Sequence, residues 1–573
     1  MIALTNVSLA NGAPGAHARP DGEMMMTNTS AEISDEFLAQ LKEDLVCRRV
    51  GRGMARLEEH RHLLTSFNPE RKNAGLFAGY LAQWVDIGFQ RAGLVKDIVA
   101  RFSQPVRGRL PLHDYLHLRM AEGMVAMSGE SKDEAIQHFD FVLGLEQETA
   151  DKELLAIANF WKGRCLRMKG EYDQALAFAE KGRTLASELG HAPMAAVMRV
   201  LESWLWFQKG DAEQAVDILK EAEAILSKTD DYLTLGNIHS SYGRIAGRQR
   251  RFQHAIDNFT AAIEQYKKLD PRHRNIARSL NNMANVKRLI ALQLRRKIDT
   301  DAARRRKAAT RGRASNGDRK LLYRNRFEQL RQEALADLGE AAAIYQQYGN
   351  HHGLGSVHLN YGYLHLDNGD LEKADAEAQT AFRLAEERRD YILMARARLL
   401  HCMIENARVE EGIGESTEPG SHARLAQDCA QEAIELAKHT QNRRLLANAY
   451  VWQGLTYCNR FFDDPESARR CYDQALTLSR GDHADSSWED LETLKAKALR
   501  GGSVNPTLRA WSQGSVGDKT FQQITEEFAE LIIPKVWERE GRKVSRVATR
   551  LSMSPKKVRR ILSRVGRSKP RPK

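Results

Sequence analysis

Alanines recur at positions 135, 175, 215 and 255, forty residues apart each time. A unit of forty residues is too short to bury a core of its own and must stack on its neighbours, so this period constrains the fold more than any other feature. In GEYDQALAFAEKG, Ala175 is followed by another small residue, Gly182; GDAEQAVDILKEA holds Ala215 and Ala222, and RRFQHAIDNFTAA holds Ala255 and Ala262. The first of the series, Ala135, lies in GESKDEAIQHFDFV. After two longer steps the series continues at Ala334, Ala374, Ala426 and Ala468. The longer steps contain a basic insertion, 295–326, and a Gly/Pro-bearing loop, 409–421.

About a dozen residues before these alanines comes a second small position: Gly123, Gly163, Ser203, Gly243 and Gly362. Small residues on two helices let their axes approach closely. The turns between them read KGEY, KGDA and NGDL, with Gly stopping one helix and an acid starting the next. The unit is therefore an antiparallel helix pair, and the chain is expected to be all-α. Composition agrees, with only 14 prolines in 573 residues.

The small, aromatic and Ala positions, as in GRIAGRQRRFQHAIDNFTAA, resemble tetratricopeptide repeats. At forty residues the unit is similar to the long-helix variety found in bacterial regulators and peptide-pheromone receptors. The resemblance spans about 110–480 and implies a superhelix of about eight pairs, with the first helix of each pair lining a concave groove. Registering on the small residues places Arg164, Arg167, Arg244, Arg248, Asn281, Asn285 and Arg288 toward that groove. Asn side chains can hold a peptide backbone as donor and acceptor, and Arg grips carboxylates, so a peptide or protein partner is expected there. The alternative is a hydrated groove whose charges balance across repeats. Trp161, Trp204, Trp206 and Trp452 are expected to pack between helices.

No phosphate-binding Gly loop, nucleophile elbow or metalloprotease motif occurs, so neither catalysis nor a cofactor is expected. His113 and His117 in HDYLH can share a helix face, but no further metal ligand stands out, and no metal site is expected. His351 and His352 are expected to be solvated. The six cysteines (47, 165, 402, 429, 458 and 471) form no CxxC pair and read as free thiols of a reducing cytosol. With no apolar span and no convincing signal peptide, a cytoplasmic location without membrane contact is expected.

Charge is uneven. Residues 295–326 carry 13 basic and 3 acidic residues, net +10, and residues 535–573 carry 15 and 2, net +13. Removing these from the total of +12 leaves −11 for the rest. A mildly acidic body thus bears two basic pieces suited to a polyanion. The insertion is expected to be a frayed loop, or alternatively an arm on nucleic-acid phosphates.

The second basic piece includes KVSRVATRLSMSPKKVRRILSRVG, residues 543–566, with eight Lys or Arg and no acid. Its spacing predicts a helix over 544–551 with Val547, Ala548 and Leu551 inward. A second helix is capped by Ser554, opens on Pro555, turns Val558, Ile561, Leu562 and Val565 inward, and stops at Gly566. Small Ala548 permits a close crossing. This is helix-turn-helix spacing, with Ser554, Lys556, Lys557, Arg559, Arg560, Ser563 and Arg564 placed for bases and phosphates of duplex DNA. Residues 527–566 resemble the Fis-type helix-turn-helix that also ends bacterial enhancer-binding activators, with Gly541, Ser545, Val547, Ala548 and Leu551 at the matching places. Two departures stand out: Ser552 where Gly is usual, and Pro555 where an Arg often begins the recognition helix. Base contacts would fall to Lys556, Arg560 or Ser563. The preceding stripe Phe521, Ile524, Phe528, Leu531 and Ile532 is expected to pair with its copy in a second chain, with Pro534 starting the next helix.

The expected order is a disordered N-terminus at 1–31 (Met24, Met25 and Met26 being alternative starts), a helical capping region at 32–110 and the repeat array at 111–498. A linker at 499–518, the helix-turn-helix at 519–567 and a basic tail at 568–573 follow. Such a chain reads as a bacterial DNA-binding transcriptional regulator whose superhelix takes a peptide or protein. The alternative is a non-catalytic scaffold with a nonspecific nucleic-acid-binding tail.

Overall fold

The computed structural model describes residues 33–309, 318–411, 419–479, 487–500, 511 and 517–567. The expected N-terminal disorder, most of the linker and the basic tail lie outside the described residues. The chain is all-α, a superhelix of tetratricopeptide-like helix pairs followed by a small three-helix module, and the described residues contain no strand.

The forty-residue period is the helix pair. Pairs begin at Leu112–Ser128 with Lys132–Gly144 and continue at Lys152–Lys169 with Tyr172–Glu188, Ala192–Lys209 with Ala212–Leu226, and Tyr232–Arg248 with Phe252–Lys267. Every alanine of the period, from Ala135 to Ala468, is fully buried. Its purpose is close approach. A Cβ on Gly163 would stand 3.1 Å from Ala175 O, and one on Gly362 would stand 3.3 Å from Ala374 O. At the equivalent place Ser203 Oγ donates to Ala215 O (2.8 Å). Gly170, Gly210 and Gly369 end first helices with φ of 85°, 102° and 84°, a region open to glycine.

The capping region joins the core of the first repeats through Leu41, Leu57, Phe77, Trp84 and Ile98. At the other end the single helix Ser487–Arg500 buries Leu491 and Leu494 on the last pair.

The basic insertion is not a frayed loop over most of its length. It prolongs its pair into helices Arg274–Ala309 and Asp318–Tyr348, 36 and 31 residues long against 17 and 16 in the preceding pair. Its Ala- and Arg-rich sequence favours helix, and nothing in it breaks one before Ala309. Of the expected loop 409–421, residues 412–418 lie outside the described residues, and the rest continues the flanking helices.

The array curls back on itself. Gln441 N donates to Gly170 O (2.8 Å), Asp173 N to Gln441 Oε1 (2.8 Å) and Arg444 Nη1 to Phe207 O (3.0 Å). Nearer the start, Val50 N and Gly51 N donate to the Asp230 carboxylate at 2.6 and 2.7 Å. These contacts narrow the interior of the superhelix.

In the last described stretch, helices Phe521–Arg539, Val544–Arg550 and Pro555–Arg567 share a core of Ile533, Val547, Ala548, Val558 and Ile561. Two expectations are corrected. Pro534 lies inside one continuous helix, held by the neighbouring Ile533, which is buried. The last helix runs through Gly566 to Arg567. Gly is only a weak breaker when the helix has further residues to enlist.

Candidate functional site

First helices line the interior, and the arginines of the register converge in it. Arg167 and Arg244, from first helices two repeats apart, lie on Trp204 at 5.0 and 5.3 Å from its ring. Tyr172 meets the same indole edge-on. Arg248 lies on Phe207 at 4.1 Å and donates to Gln208 Oε1 at 3.5 Å. Trp204 is therefore half-buried, packed against the core and Tyr172 as expected, with cations on its ring. Trp206 and Trp452 are also half-buried and pack against the core, and Trp161 is fully buried, as expected. Burial, with repulsion from Arg278 on both, from Arg164 on Arg167 and from Arg167 on Arg244, pushes the Arg167 and Arg244 guanidinium groups down to about 9.

The remaining register residues are spent on protein partners. Arg164 pairs with Asp86, which also accepts from Trp161 Nε1 (3.1 Å). Burial opposes its charge, yet Arg164 holds the Asp86 carboxyl below the usual range. Arg288 grips Asp367 (2.5 and 3.4 Å), lies on Tyr363 and reaches Asn285 Oδ1 at 3.2 Å. Asn281 is a correction: it is buried, and Asn360 Nδ2 donates to its Oδ1 at 2.8 Å. First helices of successive pairs stand side by side, so a residue aimed at the groove can meet its counterpart instead of solvent.

Two further arginines share this face. Stepping back from Asn281 by three and then four residues reaches Arg278 and Arg274, which extend the stripe one turn further into the interior. Both are half-buried. Arg444 comes from the opposite wall, where nothing local announces it.

His113 Nε2 and His117 Nε2 both lie on Asp151 Oδ2, at 2.9 and 3.1 Å. The third partner was missed because it comes from the next repeat. Asp151 thus ties the two imidazoles together and also caps Leu154 N (2.9 Å), while the buried His117 Nδ1 has no hydrogen-bond partner among the described residues. Burial opposes ionisation of Asp151, but the two imidazoles hold its carboxyl below the usual range. His352 is not simply solvated: its Nδ1 meets Asp390 Oδ2 at 2.5 Å. All six cysteines are free, and burial pushes the Cys165 and Cys402 thiols up to about 12. Cys47 and Cys458 are half-buried.

In the three-helix module Ser554 caps the last helix, accepting from Lys557 N at 3.2 Å. Ser552 has φ 49°, the left-handed turn where Gly is usual. Ser554, Lys556, Lys557, Arg559, Arg560, Ser563 and Arg564 are all exposed, opposite buried Val558 and Ile561. Two of them are partly committed. Arg564 pairs with Glu526 and Glu530 (3.1 and 3.3 Å), and Ser563 Oγ donates to Arg560 O (2.9 Å). On the first helix Phe521 and Phe528 stay 85% and 48% exposed, because Ile533 and Ala529 turn to the core in their place.

No helix among the described residues is long and apolar enough to cross a membrane. No protein-family model matches the chain, and no curated protein matches it. Solved structures of similar fold include a human IFIT1 dimer with PPP-AAAA, at 11% identity over 82% of this chain and 96% of that one, TM-score 0.42. A Rap protein complexed with Competence and Sporulation Factor is 13% identical over 68% and 99%, TM-score 0.42. The apo quorum sensor NprR from B. thuringiensis is 13% identical over 77% and 97%, TM-score 0.36.

Proposed function

We propose that the chain is a DNA-binding transcriptional regulator: the superhelix takes a peptide or protein partner in its interior, and the C-terminal three-helix module, read as a Fis-type helix-turn-helix, binds duplex DNA. It is a binding protein and not an enzyme. The observation that carries the DNA reading is the helix Pro555–Arg567. It buries Val558 and Ile561 and presents Lys556, Lys557, Arg559 and Arg560 outward with no acid on that helix. A major-groove helix needs such a layout: a fixed inner face, and outer side chains for base edges and phosphates. The exposed Phe521 and Phe528 support pairing of two copies through 521–534, which would set two modules on two half-sites.

Selection of full-length protein on random duplexes tests this reading. A preferred sequence is expected, and Arg560→Ala should relax it at one position per half-site, while Lys557→Ala should weaken all sequences alike. Binding without any preference would instead favour the scaffold with a nonspecific basic tail.

A further inference from the structure

The interior of the superhelix gathers arginines that no acid pairs with among the described residues. Among the described residues Arg167, Arg244, Arg248 and Arg278 form no ion pair, and the nearby Asp86 is already taken by Arg164. Aromatic rings hold several of these groups in place: Arg167 and Arg244 on Trp204, and Arg248 and Arg444 on Phe207. Such stacking fixes a guanidinium without using its donors.

Four buried donor atoms along this wall are without a partner among the described residues. They are Arg167 Nε, Trp204 Nε1, Gln208 Nε2 and Arg248 Nη1. Gln208 is 5% exposed, and its Oε1 already accepts from Arg248. Buried donors left unmade are costly, and like charges gathered away from water repel. Both defects are removed by the same thing: a group rich in acceptor oxygens and carrying more than one negative charge. A carboxylate carries a single charge. A phosphate monoester carries about −1.5 to −2 at neutral pH with three strong acceptor oxygens, and the guanidinium fork matches it bidentately.

We propose that this arginine cluster, Arg167, Arg244 and Arg278 on first helices with Arg444 from the opposite wall, is the seat of a phosphate-bearing ligand. The proposal rests on the reading of the superhelix interior as a binding groove and names the chemical class that the groove takes. The lowered Arg167 and Arg244 guanidinium groups report the same crowding of buried positive charge.

The test uses the full chain with inorganic tripolyphosphate, and tetraglutamate at equal ionic strength as the carboxylate arm. Tripolyphosphate should raise the melting temperature saturably, and more than tetraglutamate does. Arg244→Gln and Arg278→Gln should each raise the melting temperature of the ligand-free chain, because a repelling charge is removed. Each should also weaken tripolyphosphate binding at least tenfold by calorimetry. The double variant should lose the shift, which separates this site from the basic C-terminal module. Preference for tetraglutamate would overturn the phosphate class while leaving the groove standing. No shift with either probe, or a fall in ligand-free stability on Arg244→Gln, would overturn the site itself. Neither outcome touches the DNA reading, which is measured on another module.

Discussion

Asn281 and His273 show what a side chain's surroundings add to its identity. Asn281 is polar and aimed inward, yet its amide is spent on Asn360. Asn281→Ala should therefore cost stability, about 1 kcal/mol, because buried Asn360 Nδ2 loses its shorter bond and keeps only the backbone O of residue 281 at 3.2 Å. A double-mutant cycle with Asn360→Ala in urea checks this, and a coupling near zero would contradict it. His273 stacks on Tyr266 with centroids 5.7 Å apart, and its Nδ1 accepts from Asn275 N at 3.2 Å. Burial, then repulsion from Arg274 and Arg278, pushes its imidazole down to about 4. A folded-state value below the unfolded one means that the unfolded chain takes up the proton first. Its contribution to stability is thus full above about 6.5 and is lost as pH falls through about 4. Urea melts across that window should show His273→Asn losing less stability than wild type. Residue types on the groove face were legible in the sequence. Their partners were not, since Asp86, Asp367, Asn360 and Arg444 are set by how helices stack.

At the scale of the element, small residues show most directly what the sequence specified. A Gly to Ala change inside a helix ordinarily stabilises by about 1 kcal/mol. Gly339 is such a site, since the nearest atom to its added Cβ is Tyr361 Oη at 3.7 Å. Gly163 is not, because its Cβ would meet Ala175 O at 3.1 Å. Thermal melts should accordingly show Gly339→Ala raising the melting temperature and Gly163→Ala lowering it; the same sign at both would refute the close-approach account. Helix pairs, their caps and the small core of the three-helix module were readable because each rests on local periodicity. The ends of elements were less so: Pro534 and Gly566 are breakers by propensity, but packing carried the helix through both.

For the whole molecule, the period of forty defined the unit and left the winding open. Winding accumulates from small rotations between neighbours, which no single repeat encodes. It brings Gly170 to Gln441 and Arg167 to the level of Arg278, and so creates the charged interior. Assembly belongs to this scale as well. Phe528→Glu with Leu531→Glu should convert a dimer to a monomer in sedimentation with helicity unchanged, because neither side chain is in the buried core of the module. A wild-type chain that stays monomeric at micromolar concentration, alone and on DNA, would remove the pairing claim. The most direct test of the regulator reading is the affinity of the full chain for duplex DNA across a salt series. Each phosphate neutralised releases counterion, so log affinity should fall linearly and steeply with log salt, and Lys557→Ala should reduce the slope by about 1. No detectable binding at the lowest salt, or a slope that Lys557→Ala leaves unchanged, would contradict the assignment of the C-terminal module to DNA.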